Sequence, residues 1–450
     1  MCCIRKTGVR VQRVDTSANE TNMAYIRMKF SDKEILFNED PVDGIFEKAA
    51  SGRALIKNRR ALTIDYVPEK LPFRNDEAST VAQTLSTVLK GGRPSNLLLF
   101  GKPGTGKTAV IKNVVERLRK KVKETGTELV VPLINAKTNN TAYKILFEIA
   151  QEIGINKEDK KQQVHFTGLS MGEATSRILE FIQKRRLHVV LVIDEIDSLV
   201  DKNGDDILYN FTRANEGMSQ GGFVSLIGIS NSLTFKDKLD PRVRSSLSEE
   251  ELVFNPYTVE QLRQILTQRV ELAFNDGAMS EAAVNLCAAM AGREHGDARK
   301  AIDLLRVAAE IAEREGGARK QNEKDIKQQV DETHVRMAQE KIEKDTSYVA
   351  LKGAPTHTKY VILAIAKSKN GNTGEVYKIY SSLCRNSESE PLTQRRVTQI
   401  LSELDQQGLV TTDVISQGRY GRSQKITISI PLSIVKEAFR DEPVIASALP

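Results

Sequence analysis

A glycine-rich segment has the residue types that hold a nucleoside triphosphate. Residues 101–108 read GKPGTGKT, follow the apolar run 97–100 and precede a helical pattern at residues 110–119. Backbone N–H groups of such a turn bind phosphate, a lysine reaches the β- and γ-phosphates, and a hydroxyl holds Mg²⁺. We therefore expect Lys107 to contact the phosphates and Thr108 to bind the metal. The backbone around them comprises Gly101, Lys102, Pro103, Gly104, Thr105, Gly106 and Ala109.

Two carboxylates directly follow another apolar run. Residues 188–193 read HVVLVI, which is typical of a strand buried on both faces of a parallel sheet, and Asp194 and Glu195 come next. Carboxylates at the carboxyl end of a strand suit metal binding and general-base chemistry. We expect Asp194 to hold Mg²⁺ through water, and Glu195 to polarise the water that attacks the γ-phosphate.

Further polar side chains lie where neighbouring strands would end. Short β-rich runs at residues 128–135, 223–230 and 250–254 alternate with helical stretches, which predicts a doubly wound, mostly parallel α/β sheet. Asn231 follows the second of these runs and is placed to orient the attacking water. Arg242 and Arg244 come next on an exposed turn, as either an arginine finger or solvated surface residues.

Composition limits the class of protein. The chain has 450 residues, 40% hydrophobic and 28% charged, so we expect roughly two or three globular domains. A net charge of +7 permits a polyanionic partner without requiring one. The four cysteines are too sparse for a disulfide framework or a zinc site and indicate a reducing compartment. No run has the length of a signal-peptide core or a membrane span, which predicts an intracellular protein with no membrane partner.

Changes of pattern along the chain predict four parts. Residues 1–55 are polar and aperiodic, an N-terminal tail, and residues 56–257 carry the nucleotide-binding motifs. Residues 258–345 read as helices only, a lid followed by an exposed connector, and residues 346–440 form a separate domain. Arg299 lies in the first turn of the third lid helix, where it either reaches back to the γ-phosphate or remains on the surface.

The last domain is predicted to be a winged helix. Apolar residues at helical spacing indicate three helices, and alternating runs at residues 409–415 and 425–430 indicate a hairpin with a basic tip. The third helix and the hairpin tip carry candidate DNA contacts at Thr393 (the N-cap), Gln394, Arg395, Arg396, Gln399, Arg419, Tyr420 and Arg422. Residues 356–430 hold ten Lys or Arg against six Asp or Glu, a modest excess that leaves a purely protein-binding domain as the alternative.

In the order of these motifs the chain resembles the AAA+ ATPases, with residues 101–108 as Walker A and the Asp194–Glu195 strand as Walker B. Several details resemble the archaeal origin-recognition initiators, relatives of the eukaryotic origin recognition complex and its loading factor. Residues 65–74, DYVPEKLPFR, are similar to that family's adenine-site segment, although Phe73 and Asn75 stand where the family commonly has His and Glu. The resemblance implies that Tyr66, Val67, Leu71, Pro72 and Arg74 surround the base, and we add Tyr257 to the nucleotide site.

The resemblance covers roughly residues 55–435 and implies an AAA+ P-loop sheet with a helical lid and a C-terminal winged helix. It also implies a helical insertion within residues 139–171, and we choose residues 164–170 as its DNA-facing tip.

The function implied by the resemblance is that of an ATP-dependent replication initiator. Such a protein binds double-stranded origin DNA through its winged helix and AAA+ domain, uses ATP, ADP and Mg²⁺ in a slow ATPase switch, and helps recruit the replicative helicase. A paralogous initiator is a further candidate partner, and the expected location is the cytoplasm, associated with the nucleoid. Two alternatives stay open, namely an AAA+ motor of the branch-migration or clamp-loading type and a transcription regulator with an ATPase switch.

Overall fold

The computed structural model describes residues 55–139, 141–158, 162–165, 168–218, 222–294, 296–318, 329–369, 371–416, 422–442 and 445. All of the predicted N-terminal tail except residue 55 therefore lies outside the described residues. Two compact units make up the chain: residues 313–318 belong to one, and residues 55–312 and 327–450 belong to the other. None of the helices in the described ranges is long and apolar enough to cross a membrane.

A parallel β-sheet forms the centre of the first domain. Its strands are β1 (Leu97–Phe100), β2 (Leu129–Val130), β3 (Leu133–Asn135), β4 (His188–Asp194), β5 (Phe223–Ser230) and β6 (Glu250–Val253). Both β2 and β3 pair with β4, and the order continues through β5 and β1 to β6, with every pairing parallel. The run predicted at residues 128–135 is two short strands, because Pro132 between them has no N–H to donate to a ladder.

Helices cover both faces of this sheet. They are α1 (Asn75–Ser86), α2 (Lys107–Thr125), α3 (Ala142–Glu152), α4 (Ile155–Glu158), α5 (Met171–Arg185), α6 (Ile196–Asn203), α7 (Asp206–Arg213) and α8 (Pro241–Leu247). Leu97 and Leu99 of β1 belong to one core, and Leu98 and Phe100 belong to the core on the opposite face. Because neighbouring residues of a strand point to opposite faces, one short strand supplies both cores. The predicted doubly wound sheet is confirmed.

The lid has its own hydrophobic core. Its helices are α9 (Val259–Ala273), α10 (Glu281–Arg293) and α11 (Ala298–Ala318). A capping box between Thr258 and Gln261 begins α9 at the point where the pattern changes from strands to helices. Leu55, Ile56 and Leu62, which come before the sheet in the chain, are buried in this lid core. Burial of these apolar side chains is favourable, and they are buried against lid helices that lie about 200 residues later in the chain.

The last domain has the predicted winged-helix architecture. Helix α12 (Glu332–Lys352) leads into it, and it contains α13 (Thr356–Lys367), α14 (Thr373–Asn386), α15 (Gln394–Gln406), β7 (Val410–Ser416), β8 (Arg422–Ile428) and α16 (Leu432–Ala438). The two strands form an antiparallel hairpin. Helix α12, expected to be an exposed connector, buries Val335 and Ala338 in the lid core and Leu351 in the winged-helix core. It therefore joins the two domains through packed contacts.

Candidate functional site

The glycine-rich turn joins β1 to α2 and depends on backbone conformations that favour glycine. Gly104 and Gly106 have φ angles of 73° and 93°. A Cβ atom at Gly104 would approach Oδ1 of Asp297 to 1.7 Å, so any side chain there would displace the Asp297 carboxylate. The N–H of Ala298 donates to the carbonyl of Gly104 across 3.2 Å. The lid helix α11 thus begins directly on the turn.

Lys107 is buried at the start of α2. Its Nζ donates to the carbonyl oxygens of Gly101 (2.6 Å) and Lys102 (2.9 Å) and to Oδ1 of Asn231 (3.0 Å). Burial lowers the pKa of Lys107 to about 8, and the nearby Asp194 carboxylate opposes this shift. Hydrogen bonds to a charged acceptor are stronger than those to neutral carbonyls, so the site favours exchange of these partners for an anion.

A hydroxyl and a carboxylate meet at the carboxyl end of the sheet. Oγ1 of Thr108 donates to Oδ2 of Asp194 across 2.8 Å. Among the residues that the structure describes, no group of three His, Cys, Asp or Glu side chains is placed to hold a metal ion by itself. Mg²⁺ commonly takes one or two protein oxygens together with substrate phosphates and water. Thr108 and Asp194 fit that mode of binding.

Glu195 follows with an unusual backbone conformation. Its φ of 55° lies in the left-handed region that residues other than glycine seldom adopt, and its N–H donates to Oδ1 of Asp194 across 2.9 Å. Such backbone strain is concentrated at functional sites. The Glu195 carboxylate lies 3.9 Å from Nζ of the exposed Lys137. Both carboxylates of the strand end line the same cleft.

This cleft has a volume of about 390 Å³ and lies between the sheet and the lid. Of the residues expected at the site, it is lined by Tyr66, Val67, Leu71, Pro72, Gly104, Gly106, Thr108, Ala109, Asp194, Glu195, Tyr257 and Arg299. Sequence reasoning missed Ile64, Lys112, Thr138, Ile265, Gln268, Arg269, Ala298 and Ile302. Five of these lie on the lid helices α9 and α11, whose sequences read as ordinary amphipathic helices, so no local motif marks them.

The remaining predicted residues of the turn lie around the cleft without lining it. Lys102 and Pro103 are exposed, whereas Gly101 and Thr105 are buried. A Cβ atom at Gly101 would approach the carbonyl oxygen of Phe254 to 2.6 Å, so the residue that follows β6 packs closely against the turn.

Arg74, expected beside the base, is not among the residues that line this cleft. Its buried guanidinium donates to the carbonyls of Thr105 (2.9 Å) and Asn255 (2.5 Å) and to the hydroxyl of Tyr257 (3.1 Å). It also forms an ion pair with Glu77 at 2.7 Å and lies over the Tyr257 ring, 4.1 Å from its centroid. In this fold the N–H donors of the Arg74 guanidinium are hydrogen-bonded to these protein acceptors. Arg74 thereby fixes the turn and Tyr257 rather than lining the cleft.

Arg242 and Arg244 lie on α8, outside the residues that line the cleft. Nε and Nη2 of Arg242 donate to the Asp240 carboxylate at 3.0 and 3.2 Å, and its guanidinium lies 5.1 Å from the Tyr209 ring centroid. Arg244 forms an ion pair with Asp237 at 3.7 Å, and both side chains are exposed. Arg242 is therefore held more firmly on its own surface than Arg244.

The predicted base-reading residues share the outer face of α15. Oγ1 of Thr393 accepts from the N–H of Arg396 across 3.4 Å and caps the helix. Gln394, Arg395, Arg396 and Gln399 are exposed, whereas the apolar positions between them are buried. Of the hairpin tip, residues 419 and 420 lie outside the described residues, and Arg422 is described only as the backbone start of β8.

The structure corrects part of the expected insertion tip at residues 164–170. Val164 is fully buried in a core of the first domain. The Asn156 side chain pairs with its backbone, donating to the Val164 carbonyl (2.9 Å) and accepting from its N–H (2.8 Å). Ser170 is used as the N-cap of α5. Burial of an apolar side chain in a core is favourable. A side chain buried in this way cannot contact DNA, so Val164 is not a DNA contact.

The chain is similar to known proteins in sequence and in fold. Three family models match, namely the AAA domain at residues 91–233, the Cdc6 AAA+ ATPase-type lid domain at residues 263–340 and the CDC6, C terminal winged helix domain at residues 349–438. The chain is 44% identical over 415 residues to the ORC1-type DNA replication protein of Cenarchaeum symbiosum, covering 92% of this chain and 98% of that protein. With the ORC1-type DNA replication protein of Thermococcus kodakarensis it is 45% identical over 413 residues, with coverages of 90% and 96%.

Among solved structures, the chain is similar to the Aeropyrum pernix ORC1 protein in complex with DNA. The TM-score is 0.76 at 41% identity, and the match covers 88% of this chain and 100% of that one. The Aeropyrum pernix ORC2 protein in its ADPNP-ADP complexes shares the fold, with a TM-score of 0.57 at 21% identity over 88% of this chain and 99% of that one.

Proposed function

The chain belongs to the family of ORC1-type DNA replication proteins, and on this premise we propose that it binds duplex DNA at replication origins under the control of bound ATP or ADP. It is an initiator of the AAA+ ATPase class with a C-terminal winged helix. Family membership decides for the initiator over the motor and the transcription regulator. The observation that carries the proposal is that a phosphate turn, two carboxylates and the lid meet at one cleft, in a chain that also exposes Arg395 and Arg396 at the start of helix α15.

The nucleotide part of the proposal is supported by the chemistry at the phosphate end of the cleft. The N–H groups of the turn lie at the N-terminus of α2, where the helix dipole favours an anion. Lys107 exchanges neutral acceptors for phosphate oxygens, and Thr108 and Asp194 hold Mg²⁺. Mg²⁺ supplies neutralisation of the β- and γ-phosphate charge when it is bound.

We assign hydrolysis to residues that line or adjoin this end. Glu195 accepts the proton of the attacking water, and Asn231 orients that water once Lys107 turns to the phosphates. Arg299 reaches the γ-phosphate from the lid, and Arg244 serves as the arginine finger of a second chain. Because the α8 arginines do not line the cleft of their own chain, turnover by a single chain is slow, which suits a switch.

DNA recognition is proposed for the exposed face of α15. Arg395 and Arg396 suit guanine and Gln399 suits adenine in the major groove, while Arg422 and the hairpin tip suit the minor groove or the backbone. The similar Aeropyrum pernix ORC1 protein, whose structure is a complex with DNA, supports DNA binding by this chain. We also propose the replicative helicase and a paralogous initiator as partners. A helicase-loading assay on origin DNA in which omission of this chain makes no difference would contradict that part.

The test of DNA reading uses variants of α15 on two DNAs. Footprinting of the wild-type protein on the chromosome first locates the specific site. Arg395→Ala and Arg396→Ala are each expected to lose about 1–3 kcal/mol of binding free energy on that site and little on scrambled DNA. Arg385→Ala, an exposed arginine on α14, is the matched control and retains the preference. A double variant of Arg395 and Arg396 that keeps the full preference would show that α15 is not the reader.

A further inference from the structure

Arg269 is a buried cation on the lid helix α9, beside the cleft. It is 7% exposed and lines the cleft together with Ile265 and Gln268 of the same helix. Burial lowers the pKa of Arg269, and no carboxylate of the described residues forms an ion pair with it. Buried arginines are normally paired with an acidic group, so this charge lacks its usual partner.

The contacts that Arg269 does make point to one segment of chain. Its two Nη groups donate to the carbonyls of Ala61 and Tyr66, both at 3.1 Å. The guanidinium carbon lies 5.0 Å from the centroid of the Tyr66 ring. Nε is buried and has no hydrogen-bond partner in the described part of the chain. A buried donor of a charged group is costly to leave without an acceptor, so an acceptor supplied by a ligand would stabilise Nε–H.

Arg269 holds residues 61–70, which we call the base strap because Tyr66 and its neighbours line one end of the cleft. Gln268 of α9 donates to the Lys70 carbonyl at the other end of the strap, across 3.3 Å. Asn113 of the phosphate-loop helix α2 donates to the Pro68 carbonyl, across 3.0 Å. The base strap is therefore bound to the lid at both ends and to the phosphate-loop helix in its middle.

We propose that Arg269 is a further nucleotide-binding residue, which recognises the nucleoside part of the ligand rather than its phosphates. Its Nη groups and the Tyr66 ring hold the base strap, and its Nε–H donates to an acceptor on the sugar or the base. Because Arg269 belongs to the lid and already holds the strap, a ligand at the base end contacts both parts through this one side chain. The inference rests on the proposed function, since it takes the cleft to be a nucleotide site.

The test compares a nucleotide with its phosphate chain alone. Arg269→Met keeps the length of the side chain and removes every donor, so its affinity for ADP is expected to fall about 10- to 100-fold, as for loss of hydrogen bonds from a charged donor. Its affinity for inorganic triphosphate is expected to equal that of wild type. Arg263→Met is the matched control, because Arg263 lies partly exposed on the same helix, 2.6 Å from Glu260, and does not line the cleft.

Each outcome supports or overturns the inference. The inference is overturned if Arg269→Met binds ADP with unchanged affinity. It is also overturned if the variant loses affinity equally for ADP and triphosphate, because a disordered lid would affect both ligands. If thermal melting shows that Arg269→Met does not fold, Arg269→Lys is measured instead; it keeps the charge but cannot bridge two carbonyls and donate a third time, so only ADP affinity should fall. Failure of the wild-type protein to bind ADP would overturn the proposed function itself.

Discussion

The buried ammonium group of Lys107 makes nucleotide binding depend on pH above neutrality. Burial lowers the pKa of this side chain from 10.5 to about 8 in the ligand-free protein. A phosphate beside it favours the charged form, so the pKa rises again in the complex. Between these two pKa values, binding must be accompanied by uptake of a proton, and affinity therefore falls as the pH rises through about 8.

The magnitude follows from the position of the pKa. At pH 9, about one unit above it, roughly one tenth of the free protein carries a charged Lys107. Restoring the charge then costs about 1.4 kcal/mol, so affinity for ADP is expected to be about tenfold lower than at pH 7, where roughly nine tenths is charged. The second ionisation of a phosphate lies near pH 6, so the ligand contributes little in this range.

Isothermal titration calorimetry with ADP and Mg²⁺ at pH 7, 8 and 9 measures both quantities. Paired buffers of different ionisation enthalpy report the protons taken up, which should approach one per ADP at pH 9. Lys107→Met is the control, because it removes the titrating group; it is expected to bind more weakly and with no dependence on pH over this range. Equal wild-type affinity at pH 7 and pH 9, or the same slope in Lys107→Met, would refute the reasoning.

Three further perturbations address separate parts of the site. Glu195→Gln keeps the side-chain shape but removes the base, so ATP binding should persist while turnover falls about a hundredfold or more; equal turnover rates would exclude Glu195 as the base. Arg244→Ala should lower the ATPase rate of self-associated protein on DNA more than Arg242→Ala does, because the Asp240 carboxylate holds Arg242, and the reverse order in steady-state assays would contradict this. Gly104→Ala forces a Cβ atom into the Asp297 carboxylate at a left-handed φ, so both ADP affinity and the melting temperature should fall; if neither changes, the lid contact is unimportant.

The glycine-rich turn, the Asp–Glu strand end and the winged helix could be predicted from the sequence because each is a local signal. Glycines at 104 and 106 are needed for the left-handed backbone of the turn, whatever the rest of the chain does. The run HVVLVI reads as a strand buried on both faces. Helical spacing followed by two alternating runs identifies three helices and a hairpin within one stretch of chain. Local geometry and periodicity therefore determined the fold class and the phosphate end of the site.

Only the tertiary structure decided the roles that depend on partners distant in the sequence. Arg74 and Tyr257 are 183 residues apart, and only the fold brings the guanidinium into hydrogen-bonding distance of the Tyr257 hydroxyl. Arg269 reads as one more charged residue of an amphipathic helix until the fold buries it against Tyr66. Val164 follows polar residues in the sequence, yet it is buried in a core. Burial and the satisfaction of hydrogen bonds are set by which surfaces meet, and periodicity within a short window does not carry that information.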